Sequence, residues 1–181
     1  PGVSLSSFLI STDVILLLFW TLSLYFLLEI KKRPTNTNFI ILGILLGLAF
    51  LAKYAAIYFF VCFFILVVFD KNLRNLFFKK NISFILSLVV FVLTISPNII
   101  WNYNNEWVTL SHTSSNVNLK NTNLNIGGAG LFLATQVLMI GPFLFLGFLI
   151  NIKKISFDKN NVFLLCFSLP VVFIVLIESV L

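Results

Sequence analysis

The stretch GILLGLAFLAKY, residues 43–54, decides how this chain folds, because its lysine interrupts a run that is otherwise apolar almost without a break from residue 39 to residue 69. About 20 helical residues, each rising roughly 1.5 Å, cross a bilayer, so that run is too long for one ordinary span. It is either one overlong tilted helix with Lys53 at mid-membrane or two short helices that meet at Lys53. A central lysine facing lipid costs roughly 2.5–3.5 kcal/mol. The hairpin avoids that cost by bringing Lys53 to a membrane face.

The rest of the sequence supports the hairpin. Hydrophobic residues make up 60% of the 181 and charged residues only 10%, which excludes an ordinary soluble domain. Mean hydropathy is +1.07, and the long apolar runs do not alternate as barrel strands would. The expected fold is all-α, a polytopic transmembrane bundle of about six spans. These are placed near residues 14–30, 38–52, 54–69, 82–100, 129–150 and 162 onward. With the hairpin, Lys31, Lys32, Arg33, Lys71, Arg74, Lys79, Lys80, Lys153, Lys154 and Lys159 share one side, and only Lys53 and Lys120 fall on the other. The positive-inside rule makes the first side cytoplasmic. Without the hairpin, the two most basic loops would lie on opposite sides. Asp13, Lys53 and the polar loop at 101–128 therefore share an extracytoplasmic face. The net charge of +6 reads as a topology signal and not as a nucleic-acid surface.

Several residues carry both a plain and a functional reading. Asp13, following Ser11 and Thr12 and preceding an apolar helix, suits an N-cap, or else a functional carboxylate at the membrane face. Lys53 is either a snorkelling junction lysine or a cation that pairs with a lipid phosphate. Gly43 and Gly47, four apart, share a helix face and permit close packing on a neighbour. In SPNIIWNYNNEWVTLSH, residues 96–112, Trp101, Tyr103 and Trp107 suit an interfacial aromatic belt. Asn102, Asn104, Asn105, Glu106 and His112 are interleaved with those rings, and rings beside amides and a carboxylate are also what sugar recognition needs. The one histidine makes no metal site alone. Cys62 and Cys166, each inside an apolar run, are expected as buried inert thiols. The basic segment 70–80 is expected as a loop, with Phe77 and Phe78 dipping into the interface. The first ten residues read as the tail of an earlier span or an interfacial segment. No P-loop, G-x-G-x-x-G, G-x-S-x-G or H-E-x-x-H motif is present, which leaves nucleotide, dinucleotide and zinc-protease chemistry without a foothold.

Three stretches in order resemble the family-39 type of membrane glycosyltransferases, the group that holds the protein O-mannosyltransferases and the lipid A aminoarabinose transferases. They are STDVILLLFWTLSLYFL (residues 11–27), LGILLGLAFLAKYAAIYF (42–59) and the 96–112 segment. The resemblance runs over about residues 1–150. It implies a GT-C bundle with its active site at the extracytoplasmic face of a bacterial inner membrane, the whole chain forming part of one such domain. A sugar would pass from a polyprenyl-phosphate donor to a hydroxyl on a lipid, glycan or protein acceptor. Lys53 would help hold the donor phosphate, and Asp13, Trp101, Asn102, Glu106, Trp107 and His112 would line or cover the cavity. The catalytic Asp of the family is expected upstream of residue 1, so this stretch alone is expected to be inactive. No cofactor is implied, and a divalent metal is left open. A transporter or flippase of lipid-linked saccharides is the competing reading, and a structural membrane subunit is a third.

Overall fold

The computed structural model describes residues 11–109, 111, 126–151 and 159–180, and all regular structure among them is helical. One compact unit comprises Ile10–Trp107, and the described helices after Val108 belong to a second.

In the first unit, α1 (Thr12–Lys32) descends and ends where Pro34 follows Lys31, Lys32 and Arg33. Those cations suit the negative end of the helix dipole. Helix α2 (Asn36–Ala52) returns, capped by the Thr35 side chain, which accepts from the Asn38 backbone N–H at 3.3 Å. Lys53 breaks the chain with an extended backbone, φ −160° and ψ 133°. A 3-10 turn, Tyr54–Ala56, and helix α3 (Ile57–Phe69) follow. The Phe77 ring packs edge-on to both Phe39 near the start of α2 and Phe63 in the middle of α3, so the chain reverses at Lys53. The expected hairpin is present.

Helix α4 (Lys71–Lys79) occupies the segment expected as a basic loop. The Asp70 carboxylate caps it, accepting from the backbone N–H groups of Asn72 and Leu73 at 3.0 and 3.1 Å. Leu73 and Phe77, four apart, bury one face while Lys71, Lys79 and Phe78 stay exposed. Phe77 therefore belongs to the core, and only Phe78 is left for the interface. The chain turns by 105° between α3 and α4.

Helix α5 (Asn81–Asn104) runs parallel to α2 and packs on it along a small-residue seam. Gly43 lies against the Ser87 backbone, and Gly47 lies against the Thr94 side chain. The expected loop thus begins late, since the helix continues through Asn104. Pro97 lies inside α5 and cannot donate to the Leu93 carbonyl one turn back. The Ser96 hydroxyl supplies that bond at 2.8 Å, which keeps the helix continuous. α2 sits at the centre and buries Phe39, Leu42, Leu45, Leu46 and Ala49, whereas α1 buries only a stripe of Ser23, Leu27 and Ile30.

In the second unit the apolar stretch expected as one span is two helices, α6 (Ile126–Ile140) and α7 (Pro142–Asn151). Gly141 between them has φ 93°, a conformation glycine takes freely, and Pro142 disfavours helix at the residue before it. Helix α8 (Lys159–Val180) closes the described chain. Cys62 and Cys166 are both buried and neither forms a disulfide. Among the described residues, Thr12–Lys32, Asn81–Asn104 and Asn161–Ser179 are each long and apolar enough to cross a membrane. The segment 1–10, Lys120, Lys153, Lys154 and most of the expected polar loop lie outside the described residues.

Candidate functional site

The two ends of the first unit differ in chemistry. At one end Lys31 donates to Asp70 at 2.7 Å, and Ser83 donates to the Asn36 side chain at 2.7 Å, among the basic residues of α1 and α4. At the other end Lys53 meets Asp13, Nζ to Oδ1, at 2.5 Å. Asp13 lies in the first turn of α1, where a carboxylate suits the positive helix end. It does not cap the helix as expected. The N-cap is Ser11, and the Asp13 carboxylate is turned to a lysine 40 residues away.

Both partners are roughly half exposed, with side-chain exposures of 46% and 61%. A pair so solvated contributes about 0–1 kcal/mol to stability. Its effect is on position: the carboxylate fixes where the ammonium rests and keeps a charge at the mouth of the bundle.

The adjacent Tyr54 reaches the other way. Its hydroxyl donates to Asn98 Oδ1 at 3.0 Å and accepts from Asn102 Nδ2 at 3.2 Å. Asn102 is 2% exposed and also donates to the Asn98 carbonyl at 2.9 Å. The dipeptide Lys53-Tyr54 therefore ties three elements together, α1 through Asp13 and α5 through two asparagines. Neither Tyr54 nor Asn98 was expected here. The available signal was the four-residue spacing of Asn98 and Asn102, which puts both amides on one helix face, with an aromatic hydroxyl beside the junction lysine.

The C-terminus of α5 holds the remaining expected residues. The Asn102 carbonyl accepts from the backbone N–H of Trp107 at 2.9 Å, which is the six-to-one bond of a Schellman ending. That ending wants a left-handed residue at the position after the cap, usually glycine. Here Glu106 takes it with φ 53°, and Trp107 follows at φ 57°. For a bulky residue this is a strained backbone, of order 1–3 kcal/mol. Trp101 and Trp107 are half exposed, and Glu106 is exposed to solvent at the same end. The structure thus brings Asp13 and Lys53 into contact and attaches Asn102 to the same junction through Tyr54. Trp101, Glu106 and Trp107 follow on the last turn of α5 and just beyond it. His112 lies outside the described residues.

A helical bundle with apolar spans, a cationic end and a polar constellation at the opposite end is an integral membrane protein with a candidate site at one mouth. The chain belongs to the dolichyl-phosphate-mannose-protein mannosyltransferase family, whose sequence profile matches residues 2–101. That match takes in Asp13, Lys53, Tyr54, Asn98 and Trp101, and it ends just before Asn102. The chain is also similar to the lipid A galacturonosyltransferase RgtD of Rhizobium johnstonii, with 26% identity over 186 aligned residues. That alignment covers 99% of this chain but 38% of the relative, so the chain spans well under half of that protein's length. No solved structure matches.

Proposed function

We propose that this chain is part of a membrane glycosyltransferase that takes a sugar from a polyprenyl-phosphate donor. The acceptor would be a hydroxyl on a lipid, glycan or protein at the extracytoplasmic face of a bacterial inner membrane. The observation that carries the reading is the Lys53–Asp13 pair at the end opposite the basic helices, in a family of sugar transferases. An exposed pair adds little to stability, so its placement needs another reason, and a phosphate that arrives on a lipid carrier supplies one. The phosphate displaces the Asp13 carboxylate as partner of Lys53, at no cost in new charge burial.

In this mechanism the acceptor oxygen attacks the anomeric carbon, the bond from that carbon to the phosphate oxygen breaks, and the lipid phosphate leaves. The ammonium of Lys53 stabilises the charge that grows on the leaving phosphate. The general base is assigned to the aspartate that the family resemblance places upstream of this stretch. Asp13, Trp101, Asn102, Glu106 and Trp107 are assigned to the cavity, rings stacking on sugar C–H faces, and the family resemblance assigns His112 to it as well. The reading routes no step through a cofactor.

The test uses the full-length protein in vesicles supplied with a labelled polyprenyl-phosphate sugar pool. Covalent transfer of label to an acceptor, falling about a hundredfold or more in Lys53→Ala, is expected. Label that crosses the membrane still attached to its lipid would overturn the reading in favour of transport.

A further inference from the structure

Asn98, one turn before Asn102 on α5, carries a donor that the described residues leave unused. The Asn98 backbone carbonyl lies 2.9 Å from the end of the Asn102 side chain. A carbonyl can only accept, so the Asn102 atom beside it is the amide nitrogen. That nitrogen also donates to the Tyr54 oxygen at 3.2 Å, which leaves the hydroxyl hydrogen for Asn98 Oδ1 at 3.0 Å. Asn102 Nδ2 lies 3.2 Å from the same Oδ1. Two donors thus converge on one end of the Asn98 amide, and that end must be its oxygen. Turning the amide over would set its N–H groups against both donors. The other end, Nδ2, holds two N–H groups in a fixed direction.

Among the described residues, Asn98 Nδ2 has no hydrogen-bond partner, while every buried side-chain nitrogen and oxygen has one. Asn98 is half-buried, so its Nδ2 reaches the outside. An amide unpaired against hydrocarbon is costly, which puts that opening on the polar side, at the end of the bundle that holds Lys53 and Tyr54. A lysine ammonium and an amide whose oxygen is taken are both donors only. They suit a ligand rich in acceptors, and the non-bridging oxygens of a phosphodiester accept without donating.

We infer that Asn98 Nδ2 donates to a non-bridging oxygen of the lipid-linked phosphate. The inference rests on the phosphate role proposed for Lys53 and adds an uncharged contact from α5. Water alone is the competing occupant, and a hydroxyl of the sugar is another.

The experiment measures binding of polyprenyl phosphate, without a sugar, to the full-length protein in nanodiscs. Asn98→Asp keeps an oxygen for Tyr54 and Asn102 but removes the N–H donors. Asn98→Leu removes both ends of the amide and adds no charge. Tyr54→Phe breaks the tether and leaves the amide. Both Asn98 variants are expected to bind about tenfold or more weakly than wild type, and more weakly than Tyr54→Phe. Thermal unfolding of Asn98→Asp should match wild type, because its bonds to Tyr54 and Asn102 persist. Asn98 variants that bind no worse than Tyr54→Phe overturn the inference, whether the amide holds water or serves only as a tether. So does undiminished binding joined to slower transfer, which assigns the amide to the sugar. Lys53→Ala separates this inference from the reading beneath it. Weak binding in Lys53→Ala beside normal binding in the Asn98 variants sinks the inference alone. Undiminished binding in Lys53→Ala, or none in the wild type, sinks both.

Discussion

Gly43 and Ser87 meet backbone to backbone: the Ser87 carbonyl occupies the space that a Cβ on residue 43 would need. A backbone carbonyl held in α5 cannot rotate aside, so the helices themselves must separate. Gly43→Ala is expected to destabilise the protein by about 1–3 kcal/mol, the usual range for overpacking. A Cβ on residue 47 would lie 2.6 Å from both the Cβ and the Cγ2 of Thr94, and the Cβ is fixed by the α5 backbone, so no rotamer of Thr94 relieves the contact. Gly47→Ala should therefore force the helices apart as well, at a comparable cost of about 1–3 kcal/mol. Thermal unfolding of the full-length protein in detergent checks both.

Tyr54→Phe removes a hydroxyl that bonds two asparagines and leaves the ring in place. The expected loss is about 1 kcal/mol, since polar bonds between membrane helices are individually modest. Lys53, one residue away, would keep Asp13 but lose its tether to α5. Under the proposed function the variant should then raise the KM for the lipid donor more than it lowers kcat. An unchanged melting temperature and unchanged kinetics would reject the network as a positioning device.

Asp70 is held below the usual carboxylate range. Burial opposes its ionisation, but the Lys31 ammonium and the N–H groups of Leu73 and Asn72 outweigh that. Because the folded value is the lower one, this stabilisation is complete above the unfolded value of about 3.9. It is lost as pH falls through the folded value. Asp70→Asn keeps a good N-cap but drops the charge, and should remove the acid dependence at a cost of about 1 kcal/mol or less. Asp70→Ala loses cap and pair together, about 1–2 kcal/mol. Denaturation followed from neutral pH to about pH 3 separates the two.

Glu106 stands where α5 asks for glycine. Glu106→Gly should stabilise the helix end by about 1 kcal/mol, and Glu106→Ala should give no such gain because Ala keeps the Cβ penalty. If the carboxylate serves the cavity, both variants lose transfer activity while only one gains stability. Melting temperature and initial rate, measured together, decide it. A glycine variant that is more stable and fully active would reduce Glu106 to a tolerated defect.

The break at Lys53 was legible because it follows from length and charge alone: one helix cannot hold residues 39–69, and the lysines sort only if the chain turns back. The glycine seam was legible as a face, but its partner was not, because nothing in GILLG names Ser87. For Asp13 the cap alternative fails and the membrane-face carboxylate stays, for a related reason. Ser-Thr-Asp before an apolar run is a good local cap signal, and a partner 40 residues away leaves no local trace. Helix α4 could have been found, since Asp70 followed by Leu73 and Phe77 is a cap and an i, i+4 face. High charge obscured it. The dipeptide Gly141-Pro142 likewise announced the break between α6 and α7, but the apolar run around it read as one span. The Tyr54–Asn98–Asn102 network depends on which helices become neighbours, and sequence spacing alone gives only half of it.

The parallel packing of α2 against α5 also has a consequence in time. Its contacts join residues as far apart as Asn36 and Ser83, 47 positions along the chain. At about 5–20 residues per second, the ribosome needs roughly 2–9 s to make that interval. Through those seconds the glycine face of α2 has no partner and rests against lipid, and the Lys53 turn is held from one side only. The mouth of the bundle is therefore finished late in synthesis. Leu46 of α2 is buried beside Ser87, Leu88 and Phe91 of α5. A ribosome-stalled chain ending before α5 should therefore leave a Leu46→Cys thiol open to a lipid-phase alkylating reagent, and a chain carrying α5 should protect it.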